Sequence, residues 1–512
     1  MGGQIRSGDR IVTVEALQGR AARAAAGLES LGIGDGDTVA LLLRNDLALF
    51  EASLSAQQLG AFSVPINWHG KPEEVAYVLR DCGARVLVAH ADLLRAAGDA
   101  VPEGLRVFAV ATPPEIRDAY GLSAAACAPP AAAAAVAEWE RWLESFPPRT
   151  APPVAFRASM IYTSGTTGHP KGVRREPSAG VYLERRFIGL REAWGFVPGM
   201  RAVMTGPMYH SAPNAYGLAS VNFDPYVVLQ PRFDAEELLE LIQRDRITHM
   251  HIVPTMFVRL LRLPEQVRRR YDVSSLRWVI HGAAPCPREV KRAMIDWWGP
   301  VIYEYYGSTE GGIITCASSA DWLARPGTVG RPTRMTSVRI LDDAGRDLPP
   351  GVSGTIYSRN EALPDFTYHA LDAKRREIDR DGFITSGDIG YLDADGYLFL
   401  NDRKIDMVIS GGVNIYPAEV EAVLLQLPGI RDCAVFGIPD EEFGETLAAA
   451  VQLMPDTHLT PEAVQGHVRA HLADFKVPRV VEFLKDLPRE DSGKIFKRRL
   501  REPYWKNAGR TI

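Results

Sequence analysis

Residues 162–172 (YTSGTTGHPKG) combine hydroxyl groups, glycines and one lysine in an order that suits the binding of a polyphosphate. They follow an apolar run, residues 158–162, that predicts a buried strand. Backbone N–H groups of such a loop can point at phosphate oxygens, the hydroxyls add donors, and Lys171 adds a positive charge. Gly172 follows the lysine where a Walker-type loop has Ser or Thr. A plain surface turn is the alternative, but the length of the pattern favours a phosphate loop.

Two further polar, glycine-bearing segments follow predicted strands. Residues 281–285 (HGAAP) come after the apolar run 276–280, and residues 307–312 (GSTEGG) come after the run 301–306. In parallel sheets, ligands bind beyond the carboxyl ends of the strands. Together with residues 163–172, these segments predict one shared site.

The order of predicted elements indicates how that site is held. Helix and strand signals alternate over residues 13–89 and 201–306, which is typical of an α/β fold with parallel sheets covered by helices. Short strands and turns follow from residue 336, and a small α+β unit follows from about residue 402. We therefore predict a domain over residues 1–401 and a second over residues 402–512.

Two kinds of loop carry no predicted function. The Ala- and Pro-rich stretch 123–136 is predicted to be a surface loop. Residues 342–345 (DDAG) and 393–396 (DADG) do not continue into a calcium-binding loop, so we predict hairpin turns there.

The composition excludes several classes of protein. The 512 residues carry a net charge of −5, with 46% hydrophobic and 24% charged residues, as in ordinary globular proteins without nucleic-acid affinity. Five scattered cysteines without a CxxC pair argue against disulfides or a zinc site and favour a reducing compartment. With neither a signal-peptide pattern nor an apolar run near the ~20 residues of a membrane span, a cytoplasmic location is predicted.

From about residue 13 to residue 500 the chain resembles the acyl-adenylate-forming enzymes, which include acyl-CoA synthetases, luciferases and the adenylation domains of peptide synthetases. The resemblance rests on separate motifs in the family's order, namely 163–172, 281–285, 306–312, 385–388 (TSGD), 410–417 (SGGVNIYP) and 488–495 (PREDSGKI). It implies a large N-terminal domain of parallel-rich sheets with a short β-rich subdomain, and a small mobile α+β C-terminal domain. It also implies that ATP, Mg²⁺ and coenzyme A are used to make an acyl-AMP and then a thioester.

The resemblance assigns nucleotide-binding residues in the larger domain. The β- and γ-phosphates are expected on Thr163, Ser164, Gly165, Thr166, Thr167, Gly168 and Lys171. Adenine is expected to stack on Tyr306, beside Gly307 and the segment Gly282, Ala283 and Ala284. Thr309 would contact the α-phosphate, and Glu310 would hold Mg²⁺.

Further residues follow from the remaining motifs. Asp388 is expected to accept both ribose hydroxyls, which suits a carboxylate, and Arg403 to contact the ribose and begin the hinge. Many relatives have Lys or Asp two residues after that arginine, but Ile405 stands here, which leaves the pivot open. Lys494 would bridge the carboxylate of the acid and the α-phosphate of ATP in the first half-reaction. It would then move out of the site with the C-terminal domain. Ser410, Gly411 and Gly412 would line the pantetheine channel after the domain rotates.

The acid-binding pocket is expected between segments 210–217, 281–284 and 307–313, with His210 at its mouth. The many small residues there predict room for a bulky or flat, largely apolar acid. An aspartate to hold an amino-acid substrate has no clear counterpart. The resemblance is strongest to the fatty-acid, bile-acid and aryl-CoA ligase branch. The Ala- and Arg-rich composition indicates a GC-rich genome, and a role in secondary metabolism is predicted from that.

Three other kinds of function would require different features. A stand-alone adenylation enzyme would load a carrier-protein thiol instead of CoA, and free CoA turnover separates the two. A luciferase-like oxygenase has no supporting feature. A non-enzymatic scaffold would be expected to lose Lys494, Glu310 or Asp388, and all three are present. A monomer or a homodimer is expected.

Overall fold

The computed structural model describes residues 2–130, 136–163, 170–284, 286–403, 406–410, 413–440, 443–489 and 495–506. These form two compact units. The first comprises Met1–Ala324, Pro332–Ser337 and Arg359–Gly382, and the second comprises Arg325–Arg331, Val338–Ser358 and Phe383–Ile512. The predicted boundary near residue 402 stays a prediction.

The elements of the amino-terminal region are β1 (Gln4–Ser7), β2 (Arg10–Thr13), α1 (Val14–Ser30), β3 (Thr38–Leu42), α2 (Leu47–Gln58), β4 (Phe62–Pro65), α3 (Pro72–Asp81), β5 (Val86–His90), α4 (Ala91–Ala97), β6 (Arg106–Val110), α5 (Pro114–Tyr120), α6 (Ala124–Cys127), β7 (Val136–Glu138) and α7 (Trp139–Glu144). The central region contains β8 (Ile161–Thr163), β9 (Lys171–Arg175), α8 (Val181–Glu192), β10 (Arg201–Met204), α9 (Ser211–Ser220), β11 (Tyr226–Leu229), α10 (Ala235–Asp245), β12 (His249–Ile252), α11 (Pro254–Leu261), α12 (Glu265–Arg270), β13 (Trp278–His281), α13 (Arg288–Trp298), β14 (Ile302–Ser308), β15 (Gly312–Ala317) and α14 (Ser319–Ala324).

The remaining elements are β16 (Thr328–Pro332), β17 (Thr336–Leu341), β18 (Gly354–Asn360), β19 (Phe366–Tyr368), α15 (Asp372–Glu377), β20 (Asp379–Arg380), β21 (Phe383–Ile384), β22 (Asp388–Leu392), β23 (Leu398–Arg403), β24 (Val408–Ser410), β25 (Val413–Ile415), α16 (Pro417–Leu424), β26 (Ile430–Asp440), β27 (Gly444–Leu453), α17 (Pro461–His471), β28 (Val480–Phe483) and α18 (Lys497–Trp505). Local signals explain many of these bounds. Thr13 caps α1, for example, because its hydroxyl accepts from the N–H of Ala16 at 3.0 Å.

The first unit contains three sheets. The largest runs β2-β1-β11-β10-β12-β13-β14-β15 and is parallel from β1 to β14. A second, β4-β3-β5-β6-β7, is parallel throughout, and a third, β19-β9-β8, is antiparallel. One apolar core joins the two parallel sheets and includes residues of α1, α2 and α9, while separate cores cover their outer faces. The predicted α/β fold is confirmed, and its parallel strands are buried on both faces, as such sheets require.

The second unit contains two smaller sheets. In one, β16 pairs with β23, β23 with β22, and β22 with β18. In the other, β25-β24-β27-β26 with β28 beside β27 packs against α16 and α17 around its own core. In the turns predicted after β17 and β22, the carboxylates of Asp342 and Asp393 accept backbone N–H groups, as hairpin turns do.

The prediction of a surface loop over residues 123–136 is wrong in part. Residues 124–127 form the short helix α6, capped by the Ser123 hydroxyl, and the Cys127 side chain is buried. Alanine's high helix propensity explains the error, because the same residues that suggest a low-complexity loop also favour a capped helical turn.

Among the described residues, no helix is both long and apolar enough to cross a membrane.

A buried ion pair ties α13 to β14. The Lys291 Nζ lies 2.6 Å from a carboxylate oxygen of Glu304, and the Lys291 side chain is fully buried. Replacing one partner would leave the other charge buried without compensation, whereas replacing both leaves an apolar contact.

We therefore predict that Lys291→Met destabilises the protein by about 3–5 kcal/mol, measured by urea unfolding. The matched control is the double variant Lys291→Met/Glu304→Leu, which should regain most of that loss. A double variant as unstable as the single one would contradict this account of the pair.

Candidate active site

Thr309 and Glu310 lie at the tip of the hairpin between β14 and β15. The two strands pair closely enough that a Cβ at Gly307 would lie 2.1 Å from the carbonyl oxygen of Gly312. Only glycine permits that approach. The hairpin therefore carries the predicted α-phosphate and Mg²⁺ residues on a tightly fixed turn.

The predicted phosphate loop connects β8 and β9, which pair antiparallel with Thr163 opposite Lys171. We predicted the preceding strand at residues 158–162 of a parallel sheet, but it is Ile161–Thr163 in a separate three-stranded sheet. The expectation that all three glycine-bearing segments follow parallel strands is thus wrong for this loop. Only residues 281–285 and 307–312 follow neighbouring parallel strands, β13 and β14.

The third sheet nevertheless connects Lys171, at the end of that predicted segment, to Glu310 through Tyr368. Strand β19 pairs with β9, which places Tyr368 opposite Val173. The Tyr368 hydroxyl donates to Glu310 Oε1 at 2.9 Å, and Lys171 Nζ lies 5.6 Å from the centre of the Tyr368 ring. Burial and the Glu310 carboxylate raise the pKa of Tyr368, so its proton stays available for this bond. Tyr368 therefore links Lys171 to the Glu310 carboxylate of the hairpin.

Arg175, at the end of β9, holds the backbone of the same hairpin. Its guanidinium donates to the carbonyl oxygens of Thr309, at 2.9 Å, and of Glu310, and to that of Pro364 at 3.1 Å. Burial lowers its pKa to about 10, which still leaves it charged at neutral pH. The hairpin tip is thus held by a half-buried cation.

The first residue of helix α9, Ser211, contacts the hairpin. The Thr309 hydroxyl donates to the Ser211 hydroxyl at 3.1 Å, and His210 occupies the N-cap position just before it. Asn45 holds the loop that leads into the helix, because its side chain donates to Gly206 O and accepts from Met208 N. His210 therefore directly precedes Ser211, the residue that contacts Thr309.

The predicted adenine segment, residues 282–284, follows β13. Tyr306 is buried on the adjacent strand β14, and Ala283 has a φ of 68°, a left-handed conformation that is rare and strained for alanine. The preceding His281 is fully buried, and burial lowers its pKa well below the ordinary value, so it is neutral. Strained backbone conformations are common at functional sites, so the conformation of Ala283 is consistent with the predicted role of this segment.

Two glycines of the predicted acid-binding pocket do not leave the open space that we predicted. A Cβ at Gly282 would lie 2.4 Å from the Tyr305 ring, and one at Gly312 would lie 2.6 Å from Leu363. The glycines therefore admit other protein groups, and the inference from small residues to a roomy pocket is wrong at these positions.

The second unit holds the predicted ribose residues. Strands β22 and β23 place Asp388 directly opposite Arg403. Asp388 is largely buried, and one of its carboxylate oxygens accepts from the Ser386 hydroxyl at 3.0 Å. Ser410, of the predicted pantetheine wall, ends β24 opposite Val413 of β25. The backbone register thus places the two predicted ribose residues opposite each other.

Several predicted residues lie outside the described part of the chain. They are Ser164, Gly165, Thr166, Thr167, Gly168, Gly411, Gly412 and Lys494.

The sequence reasoning missed Arg175, Tyr368 and Ser211. Arg175 lies four residues beyond Lys171, a weak local signal for a cation near the phosphates. Tyr368 lies far along the chain, and nothing in its neighbourhood predicts its pairing with β9.

The described residues suit Mg²⁺ held together with a nucleotide. Among them, no group of three or more His, Cys, Asp or Glu side chains could form a metal cage. Mg²⁺ is commonly held by one or two carboxylates and by substrate phosphates. Glu310 beside the flanks of a phosphate loop fits that arrangement.

Comparisons with known proteins agree with these features. The chain is 32% identical to the feruloyl-CoA synthase of an Amycolatopsis species over 98% of this chain and 95% of that protein. It is 31% identical to the fatty acid–[acyl-carrier-protein] ligase ScoC of Streptomyces coeruleorubidus over 98% of this chain and 93% of that protein. The structure of the amide bond synthetase McbA from Marinactinospora thermotolerans superposes with a TM-score of 0.83 at 26% identity, covering 98% and 97% of the two chains.

The mixed α/β architecture, with a large N-terminal sheet domain and a small C-terminal domain, is that of the adenylate-forming enzymes. Residues 4–363 match the family described as AMP-binding enzyme, and residues 419–494 match the AMP-binding enzyme C-terminal domain. The chain belongs to the AMP-binding enzyme family. It is an AMP-forming ligase of the acyl-CoA synthetase class, whose cofactors are ATP, Mg²⁺ and coenzyme A.

The bond between Tyr368 and Glu310 gives a testable prediction. Removing a hydrogen bond to a charged group costs about 1.5–3 kcal/mol, so Tyr368→Phe should slow pyrophosphate release about 10- to 100-fold at limiting Mg²⁺ and raise the Mg²⁺ concentration required. The matched control, Tyr391→Phe, removes a hydroxyl from a ring that stacks on Phe399 in the second unit. An unchanged Mg²⁺ dependence in Tyr368→Phe would contradict a role for this bond in positioning Glu310.

Proposed function

We propose that this protein is an ATP-dependent ligase that joins a bulky, largely apolar carboxylic acid to coenzyme A. The observation that carries the proposal is the linkage of Lys171, Tyr368 and Glu310, with Arg175 holding the same turn. It joins two segments that the sequence assigns separately to ATP phosphates and to Mg²⁺. The feruloyl-CoA synthase relative supports CoA as the acceptor.

In the first half-reaction, a carboxylate oxygen of the acid attacks the α-phosphorus of ATP, and the bond to pyrophosphate breaks. Negative charge accumulates around that phosphorus, so preorganised donors and cations stabilise the transition state. Lys171 supplies a positive charge, and the Thr309 hydroxyl lies at the start of α9, where backbone N–H groups favour an anion. His210 is proposed to contact the acid's carboxylate without transferring a proton.

In the second half-reaction, the CoA thiol attacks the acyl carbonyl carbon and AMP leaves. We propose that residues from about 402 form a separate domain that first delivers Lys494 and then presents Ser410, Gly411 and Gly412 to the pantetheine arm. Asp388 and Arg403 are proposed to hold the ribose. The cytoplasm, where ATP and CoA are both available, is the proposed location.

A carrier-protein thiol is the second candidate acceptor. The similarity to a fatty acid–[acyl-carrier-protein] ligase favours it as an alternative, since that relative covers as much of the chain as the CoA synthase does. The two candidates share the first half-reaction and differ only in the thiol that completes the cycle.

The proposal is tested by ATP-dependent pyrophosphate release over a panel of fatty, benzoic, naphthoic, cinnamic and steroid acids, with and without CoA. We expect release with one class of acid and continued turnover when CoA is present. A single burst that CoA does not relieve, but a phosphopantetheinylated carrier protein does, would favour the second candidate. The absence of pyrophosphate release with every acid of the panel would contradict both candidate functions.

The role of Lys494 gives a separate prediction. Lys494→Ala should reduce the rate of acyl-AMP formation by about two orders of magnitude or more, because that is the effect of losing one contact to the transition state. Thioester formation from supplied acyl-AMP should remain nearly unchanged. Lys485→Ala, at an exposed position of the same unit, is the matched control. Equal losses in both half-reactions would contradict a role confined to adenylation.

A further inference from the structure

Helix α3 carries two polar side chains that contact the two sides of the predicted phosphate loop. Tyr77 and Asp81 are four residues apart, so they lie one turn apart on the same side of the helix. The Asp81 carboxylate accepts from the Tyr162 hydroxyl at 2.5 Å. The Tyr77 hydroxyl donates to the carbonyl oxygen of Pro170 at 3.1 Å. One helix therefore holds the chain both before and after residues 163–169.

A further contact joins these two bonds into one network. The Tyr77 hydroxyl lies 3.4 Å from the other carboxylate oxygen of Asp81. Burial raises the pKa values of Tyr77 and Tyr162, so both hydroxyls keep the protons that they donate. We call the three side chains of Tyr77, Asp81 and Tyr162 the α3 clamp.

The Tyr162 ring extends the α3 clamp across both strands at the base of the loop. Tyr162 of β8 lies opposite Gly172 of β9, and a Cβ at Gly172 would lie 3.0 Å from the Tyr162 ring. The ring thus covers the opposite strand, and a bond to its hydroxyl restrains both strands. The adjacent pair, Thr163 and Lys171, consists of residues predicted to hold ATP phosphates.

Helix stability does not explain the carboxylate of Asp81. Asp81 is the last residue of α3, where the helix dipole disfavours a negative charge. Its carboxylate oxygens instead lie within hydrogen-bond distance of two tyrosine hydroxyls, one on the strand before the loop and one that contacts the chain after it. The contacts of Asp81 are therefore directed at the loop.

We propose that Asp81 and Tyr77 are positioning residues for the phosphate loop and that they increase its affinity for the β- and γ-phosphates of ATP. They act through Tyr162 and Pro170 and touch no ligand themselves. A loop whose two ends are held in place loses less conformational entropy when it binds a polyphosphate, so it binds more tightly. This inference rests on the part of the proposed function in which residues 163–172 bind the ATP phosphates.

The test measures the dissociation constants of three ligands by titration calorimetry without any acid: ATP with Mg²⁺, pyrophosphate with Mg²⁺, and AMP. AMP lacks the phosphates that the loop is predicted to hold. We expect Asp81→Ala to weaken the binding of ATP and pyrophosphate about tenfold or more, because a hydrogen bond to a charged group is lost, and to leave the Kd of AMP unchanged. Equal weakening for all three ligands would show a general effect on the fold and would overturn the inference, as would unchanged binding of pyrophosphate.

Further variants isolate the individual bonds. Asp81→Asn keeps an oxygen acceptor for the Tyr162 hydroxyl and should keep most of the affinity for pyrophosphate. Tyr162→Phe removes the same bond from the other side, so adding it to Asp81→Ala should weaken binding no further, and additive losses would contradict a shared bond. Tyr77→Phe removes the bond to Pro170 and should weaken the binding of pyrophosphate but not of AMP. The matched control is Asp118→Ala, which removes an exposed carboxylate of α5 and should bind all three ligands like the wild type.

Lys171→Ala separates this inference from the proposed function. If Lys171→Ala weakens pyrophosphate binding and Asp81→Ala does not, the loop is correctly assigned and the positioning role is overturned. If Lys171→Ala has no effect, or if the wild type binds neither ATP nor pyrophosphate, the assignment of the loop fails and the inference fails with it. Normal binding by the wild type without pyrophosphate release from any acid would overturn the proposed acid activation and leave the positioning role in place.

Discussion

The bonding of the Arg175 guanidinium to the backbone is the constraint on which the geometry of the candidate site depends. A cation that is partly removed from water needs acceptors, and here three backbone carbonyl groups, those of Thr309, Glu310 and Pro364, supply them. Because Arg175 ends the strand that leaves the predicted phosphate loop, its bonds set the distance between that strand and the β14–β15 hairpin. The hairpin cannot move away without leaving the charge unpaired.

Much of this arrangement could be predicted from the sequence where the signals are local. The cap at Thr13, the parallel alternation and the strands before residues 281 and 307 follow from periodicity and turn residues, and the structure confirms them. Strand β8 has only three residues, too few for a periodic pattern to show its antiparallel partner. The pairing of β9 with β19 joins distant parts of the chain. Register between such segments depends on tertiary packing, so Tyr368 could not be assigned from sequence.

The glycines illustrate the same limit. A glycine in a motif shows that something approaches the backbone closely, but the sequence does not say whether a ligand or another part of the protein does so. At Gly282 the approaching group is the Tyr305 ring, and at Gly307 it is the carbonyl of Gly312. At both positions the glycine therefore accommodates another part of the protein.

Each of the two units orders its own predicted site residues by contacts within itself. Tyr368 and Arg175 hold Glu310 and its turn in the first unit, while the β22–β23 register sets Asp388 opposite Arg403 in the second. Residues held in this way are ordered before a ligand arrives, so less conformational entropy is lost when a ligand binds.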